Sequence, residues 1–96
     1  MQKKFDVKLS KRFLKILNDL PHDTAVKITG KLTMLETAPL PTGKNRIKKL
    51  TGFTPPLYRL RVGDFRVLYR ITENKVIVLT AVDRKELERE LRKLLG

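Results

Sequence analysis

The sequence predicts one α+β domain over residues 1–96, in which helices cover one face of an antiparallel sheet of about four strands. Two alternating runs that meet at Gly63-Asp64 predict a β-hairpin. Two stretches with helical periodicity precede the hairpin and a third ends the chain, so the predicted element order is β-α-α-β-β-β-α. A chain of 96 residues has room for one hydrophobic core and not for two.

The N-terminal third predicts a strand followed by a helical hairpin. Residues from Gln2 to Leu9 alternate apolar and polar side chains, as a strand covered on one face does. Ser10 is placed to cap the first helix, Pro21 ends it, and the second helix starts near Asp23. Apolar side chains recur at helical spacing in both helices: Phe13, Ile16, Leu17 and Leu20, then Ala25, Ile28, Leu32 and Leu35.

Glycine and proline interrupt the regular pattern in two places. Gly30 lies inside the second predicted helix, where a glycine costs about 1 kcal/mol relative to alanine. We therefore expect the two helices to pack closely against each other at Gly30. The segment from Leu40 to Pro56 combines prolines, glycines and a basic run, which predicts an irregular connection.

The hairpin that follows brings arginines together. With Gly63-Asp64 as a two-residue loop, the expected pairs are Val62 with Phe65, Leu60 with Val67, and Arg61 with Arg66. Arg61 and Arg66 then oppose each other on one face, with Arg59 and Arg70 nearby. Like charges that oppose each other across a ladder are destabilising, and guanidinium groups match phosphate oxygens bidentately. The hairpin therefore predicts a binding site for a polyanion.

Two more elements complete the predicted fold. The apolar run from Val76 to Val82 predicts a strand that is covered on both faces and lies at the centre of the sheet. Asp83 is placed to cap a last helix. Leucines at helical spacing predict that this helix buries one side in the core: Leu87, Leu91, Leu94 and Leu95.

The charge balance limits the class of partner. There are 22 Lys and Arg against 10 Asp and Glu, a net charge of +12, so nucleic acid or an acidic protein is the expected partner. No stretch approaches the roughly 18 apolar residues of a membrane span, and the N-terminus lacks the apolar core of a secretion signal. We expect a cytoplasmic protein without membrane contact.

The sequence offers no set of metal ligands. It has no cysteine and one histidine, His22, at a predicted helix corner where a surface or capping role is expected. We therefore expect any catalysis to need no metal and no cofactor.

The central and C-terminal parts of the chain resemble the RelE/ParE superfamily of bacterial and archaeal toxins of toxin–antitoxin systems. The residues that carry the resemblance are Lys49 to Gly52, the hairpin from Leu57 to Ile71, and Val76 to Arg84. The RelE branch implies a type II toxin that is a ribosome-dependent endoribonuclease and inhibits translation by cleaving mRNA. In the implied reaction the ribose 2′-hydroxyl attacks the adjacent phosphate and leaves a cyclic phosphate and a free 5′-hydroxyl. The resemblance also implies an acidic cognate antitoxin that forms a hetero-oligomer with the toxin.

The resemblance assigns catalytic roles to four arginines. The basic pair on the family's second strand falls on Arg59 and Arg61, the third-strand arginine on Arg66, and the arginine after the fourth strand on Arg84. Such cations can neutralise the charge that develops on a phosphorane. Further basic residues are predicted to bind the RNA backbone without taking part in the chemistry: Lys44, Arg46, Lys48, Lys49 and Arg70.

Two departures from the family pattern leave alternatives open. The best-known members have lysines where this chain has Arg59 and Arg61, and arginine is a very poor proton acceptor at neutral pH. Many members also have a C-terminal tyrosine that stacks on a base, but no aromatic residue follows Arg84, and Phe53 could provide a platform instead. The alternatives are a ParE-like toxin that inhibits DNA gyrase without being an enzyme, a non-catalytic RNA-binding module, and an ordinary solvated sheet face.

Overall fold

The computed structural model describes residues 4–95. The elements in chain order are β1 (Asp6–Leu9), α1 (Lys11–Asp19), α2 (His22–Leu32), a 3-10 turn (Thr33–Glu36), β2 (Ile47–Leu50), β3 (Leu57–Val62), β4 (Phe65–Thr72), β5 (Lys75–Asp83), a second 3-10 turn (Arg84–Glu86) and α3 (Leu87–Leu95). The first two residues of the predicted N-terminal strand, Gln2 and Lys3, lie outside the described residues. No helix among the described residues is long and apolar enough to cross a bilayer.

The strands form one sheet in the order β1-β5-β4-β3-β2. The pairs β2–β3, β3–β4 and β4–β5 are antiparallel, and β1 runs parallel to β5. The predicted α+β class and element types are confirmed. The prediction that the strand after the hairpin lies at the sheet centre is wrong, because β1 pairs with the outer side of β5 and leaves β4 in the middle.

The fifth strand lies where the sequence predicts an irregular connection. Ile47–Leu50 forms β2 at the edge of the sheet, so that part of the prediction for Leu40 to Pro56 is wrong. Ile47 is buried opposite Leu60, whereas Lys48 and Lys49 are exposed. An edge strand of four residues with one buried apolar side chain has too short an alternation to stand out from a basic loop.

The predicted register of the hairpin is confirmed. Val62 pairs with Phe65, Leu60 with Val67 and Arg61 with Arg66. Gly63 adopts a φ of +58°, in the left-handed region that favours glycine in tight hairpin turns.

One face of the sheet packs against the helices. Phe13 of α1 and Ile28 of α2 are fully buried there with Leu60 and Val67. The predicted cap of α1 is confirmed, because Ser10 Oγ accepts from the Phe13 amide at 3.0 Å. The same hydroxyl donates to the Leu79 carbonyl at 2.7 Å, which fixes the start of α1 against β5.

Two stacked tyrosines belong to this core. The ring centroids of Tyr58 and Tyr69 are 5.6 Å apart. The Tyr69 hydroxyl donates to the carbonyl of Pro39 at 2.6 Å, which satisfies both polar atoms inside the protein. Burial, and then Tyr58, raises the pKa of Tyr69 well above its usual range.

Two packing predictions for the helices are wrong. Gly30 is exposed, and no heavy atom lies within 4 Å of the position that a Cβ would occupy, so it is not a close contact between helices. Asp83 caps the 3-10 turn that precedes α3, accepting from the Lys85 amide at 2.9 Å, and not α3 itself. Of the α3 leucines, Leu87 and Leu91 are half-buried, whereas Leu94 and Leu95 are exposed. The buried residue of α3 is Glu90, which pairs with Arg12 of α1 at 2.8 Å.

Candidate nucleic-acid interface

The predicted site residues of the hairpin lie on the sheet face opposite the helices. Side chains alternate along a strand, and Leu60 and Val67 point into the helix-covered core. Arg61 and Arg66, which oppose each other, therefore lie on the other face, and so does Arg59. We call Arg59, Arg61, Arg66 and Arg84 the arginine cluster.

Arg66 is the fixed member of the arginine cluster. It is 7% exposed, and its Nη1 donates to the carbonyls of Gly63 and Phe65, both at 3.0 Å. These bonds hold the guanidinium against the backbone of the hairpin turn. A buried cation that the backbone holds in place needs little reorganisation when it meets an anion.

The other three arginines of the cluster are close enough to Arg66 to repel it. Burial lowers the pKa of Arg66, and the charges of Arg59, Arg61 and Arg84 lower it further, in that order of size, whereas Asp64 raises it. A lowered pKa means that the surroundings disfavour the cation. A phosphate bound among these groups would relieve the repulsion.

Contacts with the hairpin turn hold Arg84 in the arginine cluster. The Arg84 amide donates to the Asp64 carbonyl at 2.8 Å, and Arg84 Nε lies 3.7 Å from Asp64 Oδ1. Both side chains are more than half exposed, so this ion pair is weak. Within residues 4–95, Asp64 is the only carboxylate paired with a member of the cluster. The sequence predicts Asp64 only as a turn residue.

Buried leucines lie among the arginines on this face. Leu57 and Leu68 are fully buried, although they are not part of the helix-covered core. Arg59 lies opposite Leu68 in the ladder, and Arg70 follows Leu68 by two residues on the same strand. Both arginines have a buried Nε without a hydrogen-bond partner. The sheet face is therefore not an ordinary solvated one.

Sequence reasoning missed Thr80. It is 2% exposed, lies opposite Leu68, and its hydroxyl also lacks a hydrogen-bond partner. Thr80 is part of the apolar run that predicts a strand, and a single threonine there carries no signal of a polar atom beneath the arginines.

A groove connects the predicted RNA-binding residues of the basic run with the arginine cluster. This open groove has a volume of about 760 Å³, and we call it the basic groove; its lining residues include Lys44, Arg46, Lys48, Lys49, Arg59 and Arg61. Strand β2 creates it, because Lys48 lies opposite Arg59 and the Arg61 amide donates to the Arg46 carbonyl at 2.9 Å. Arg66, Arg70 and Arg84 do not line the groove.

Comparison with known proteins identifies the family. Residues 7–88 match a sequence model described as the ParE toxin of the type II toxin–antitoxin system parDE. The chain is 38% identical over 84 residues to a Methanocaldococcus jannaschii protein that is named as a toxin, RelE1, covering 86% of this chain and 92% of that protein. This chain therefore belongs to the RelE/ParE family of toxins, and it is a toxin of the RelE type.

Solved structures agree with this assignment. The archaeal RelE–RelB complex from Pyrococcus horikoshii OT3 matches with a TM-score of 0.72 and 31% identity, over 84% of this chain and 96% of that one. The toxin–antitoxin complex RelBE2 from Mycobacterium tuberculosis shares the fold, with a TM-score of 0.72 and 23% identity over 84% of this chain and 99% of that one. Both matched chains come from complexes with an antitoxin.

Proposed function

We propose that this toxin is an endoribonuclease that cleaves mRNA on the ribosome, in the cytoplasm, without a metal ion. The observation that supports the proposal best is the arginine cluster, in which a buried, backbone-held Arg66 lies within electrostatic reach of three other arginines. The 2′-hydroxyl attacks the adjacent phosphorus, the bond to the 5′ oxygen breaks, and the products are a 2′,3′-cyclic phosphate and a 5′-hydroxyl. Guanidinium groups stabilise the extra negative charge of the phosphorane.

Each basic group has its own part in the proposed reaction. Arg66, held in place by the turn, contacts the phosphorane oxygens, and the more exposed Arg61 and Arg84 approach them from the opposing strand and from the end of β5. Arg59 and the lysines of the basic groove hold the RNA backbone on one side of the scissile bond. Arg70, half-buried on the same sheet face, holds it on the other side.

The arginine cluster contains no efficient proton acceptor. Arginine keeps its proton at neutral pH, so neither Arg59 nor Arg61 is assigned as a general base. In this proposal water accepts the 2′-hydroxyl proton and water also protonates the leaving 5′ oxygen. The protein contributes positioning and charge stabilisation. These effects alone can contribute several kcal/mol.

Charge explains how the antitoxin restrains the toxin. With a net charge of +12, the chain attracts an acidic protein over a wide surface. An acidic antitoxin segment that lies across Arg61 and Arg66 would prevent phosphate from reaching them. We propose that inhibition in the resting complex comes from this competition between carboxylates and phosphates.

Cleavage on programmed ribosomes tests the proposal. Wild-type protein should produce new RNA 5′ ends within the decoded region, and Arg66→Gln should lower the cleavage rate by about 100-fold or more, the scale of losing one preorganised donor. Arg89→Gln removes the same charge from an exposed site on α3 and should cleave like wild type. If wild type makes no cuts, or if Arg66→Gln cuts as fast as Arg89→Gln, the proposal is wrong.

A second candidate function is inhibition of DNA gyrase in the manner of ParE. One observation favours it: the matching family model is described as a ParE toxin. In that case the protein would leave mRNA intact and would inhibit the supercoiling of plasmid DNA by purified gyrase. Binding of RNA without either effect would instead support the non-catalytic RNA-binding module.

A further inference from the structure

The turn between β3 and β4 contacts two members of the arginine cluster through its main chain. Three successive carbonyls of this turn accept hydrogen bonds from Arg66 and Arg84. Those of Gly63 and Phe65 accept from Arg66 Nη1, both at 3.0 Å, and that of Asp64 accepts from the Arg84 amide at 2.8 Å. These bonds fix the side chain of Arg66, but of Arg84 they fix only the backbone.

The Asp64 carboxylate lies beside the side chain of Arg84. Asp64 Oδ1 is 3.7 Å from Arg84 Nε, and the two side chains are 72% and 56% exposed. A guanidinium group has five N–H donors, so a contact at Nε leaves both Nη groups to meet a phosphate. Asp64 is therefore placed to orient Arg84 without occupying its Nη groups.

The hairpin turn does not need a carboxylate at position 64. Gly63 supplies the positive φ of the turn, and asparagine suits the residue after it as well as aspartate does. A negative charge here also acts against the cluster: burial is the largest effect on the pKa of Arg66 and lowers it, whereas Asp64 raises it. A charge that the turn does not need, and that repels RNA, points to a function in the site.

We propose that Asp64 is a positioning residue, which holds the Arg84 guanidinium beside Arg66 in the orientation that a bound phosphate needs. Its carbonyl anchors the backbone where β5 gives way to the 3-10 turn, and its carboxylate restricts the side chain that begins there. An oriented guanidinium loses less conformational freedom when charge develops on the phosphorane, so it stabilises that charge better. The effect on cleavage rests on the proposed ribonuclease function, but the orientation of Arg84 does not.

This role gives Asp64 two opposite effects on the reaction. Its charge repels the RNA backbone and weakens binding, whereas its contact with Arg84 speeds cleavage of the bound RNA. Asp64→Asn should therefore bind RNA more tightly and cleave it more slowly. Loss of a residue that serves only the fold would weaken both, and loss of a residue that only repels RNA would not slow cleavage.

A matched pair of variants tests this split between binding and cleavage. Glu88→Gln is the control, because Glu88 pairs with Arg92 at 3.6 Å on the exposed surface of α3, away from the cluster. With saturating toxin on programmed ribosomes, Asp64→Asn should cleave mRNA about fivefold more slowly, the upper end of what an exposed ion pair contributes. It should bind a 2′-O-methyl RNA oligonucleotide about twofold more tightly at low salt. Glu88→Gln should match wild type in both measurements.

The orientation of Arg84 can be measured without ribosomes. Nitrogen-15 relaxation of the Arg84 Nε–H group in the full chain should show a more ordered side chain in wild type than in Asp64→Asn. Glu88→Gln should leave this order unchanged. Asp64→Glu keeps the charge one methylene further out, so it should return the oligonucleotide affinity to that of wild type and restore part of the order.

Three results would overturn the inference. Equal order of Arg84 in wild type and Asp64→Asn would show that the carboxylate does not orient it. Cleavage by Asp64→Asn at the wild-type rate or faster would leave Asp64 as a repulsive charge alone. Parallel losses of binding, cleavage and stability to urea would assign Asp64 to the turn. If wild type makes no cuts, the ribonuclease proposal fails, and the order of Arg84 still decides whether Asp64 positions it.

Discussion

The two faces of the sheet are made from the same strands but differ in the burial and pairing of their polar groups. On the helix-covered face, Leu60, Val67 and Tyr69 are fully buried and the polar atom of the tyrosine is satisfied. On the other face, Arg61 opposes Arg66, and Arg59 and Arg70 each have a buried Nε without a partner. The first face stabilises the fold, whereas the second face concentrates positive charge at a cost in stability.

This difference shows how a small domain can support an unfavourable charge arrangement. Like charges across a ladder and unpaired buried donors each cost free energy. The core on the other side of the same strands compensates for that cost. The surface that is unfavourable in the isolated chain is the one that would gain most from binding a phosphate or a carboxylate.

The largest expected effect comes from truncating one buried leucine on each face. Leu60→Ala should lower the free energy of unfolding by about 3–4 kcal/mol, because the closely packed core cannot collapse into the cavity. Leu68→Ala removes an equally buried side chain, but the stem of Arg59, its partner on β3, can move into the space that is left, so we expect about 2 kcal/mol. Urea denaturation of both variants measures the difference. A larger loss for Leu68→Ala would mean that the arginine face is the more rigid one.

A smaller effect is expected from the tyrosine hydroxyl on the helix-covered face. Tyr69→Phe keeps the ring stack with Tyr58 but leaves the Pro39 carbonyl without its donor, which should cost about 1–2 kcal/mol. The pKa of Tyr69 is raised in the folded state, so the folded chain keeps a proton that the unfolded chain releases above pH of about 10. Stability should therefore fall as the pH rises beyond about 10.

Denaturation at neutral and alkaline pH measures both parts of this prediction. Because Lys side chains also titrate in the alkaline range, the informative quantity is the difference between wild type and Tyr69→Phe at each pH. The difference should shrink as the pH rises. A constant difference would mean that Tyr69 does not supply the alkaline loss of stability.

The hairpin could be predicted because the residues that determine its register are close together in the sequence. Alternation and the Gly63-Asp64 turn determine which residues pair, and the opposed arginines follow from that register. The position of Arg84 came from family resemblance and not from the pattern of the sequence. Its contact with Asp64 joins the hairpin turn to the end of β5. These residues are far apart in sequence, and periodicity does not predict contacts over such a separation.

Other features of the structure depend on tertiary contacts, which the local sequence pattern does not predict. The basic groove exists because β2 pairs with β3, and the short β2 has almost no alternation of its own. The leucine stripe of α3 predicts which side of the helix is apolar, but it does not show how much of that side is covered, and Leu94 and Leu95 are exposed. Gly30 looks like a packing residue in the sequence, but in the structure nothing lies within 4 Å of the position that its Cβ would occupy.

The smallest expected effect is also the one that tests the contrast between the faces most directly. Arg61→Gln removes one member of the opposed pair with Arg66 and should raise the free energy of unfolding by about 0.5 kcal/mol at low salt. The gain should shrink as salt screens the remaining charges. Lys15→Gln on the exposed side of α1 removes the same charge away from the cluster and should change stability less.

The same substitution should have the opposite effect on function. Arg61→Gln should weaken binding of a single-stranded RNA oligonucleotide and reduce the salt dependence of that binding, because one phosphate contact is lost. A variant that folds more stably but binds RNA less well would show that the repulsion between Arg61 and Arg66 is retained for the ligand. If Arg61→Gln lowers stability at low salt, then the opposed arginines are already compensated within the chain and the proposed cost of the arginine face is wrong.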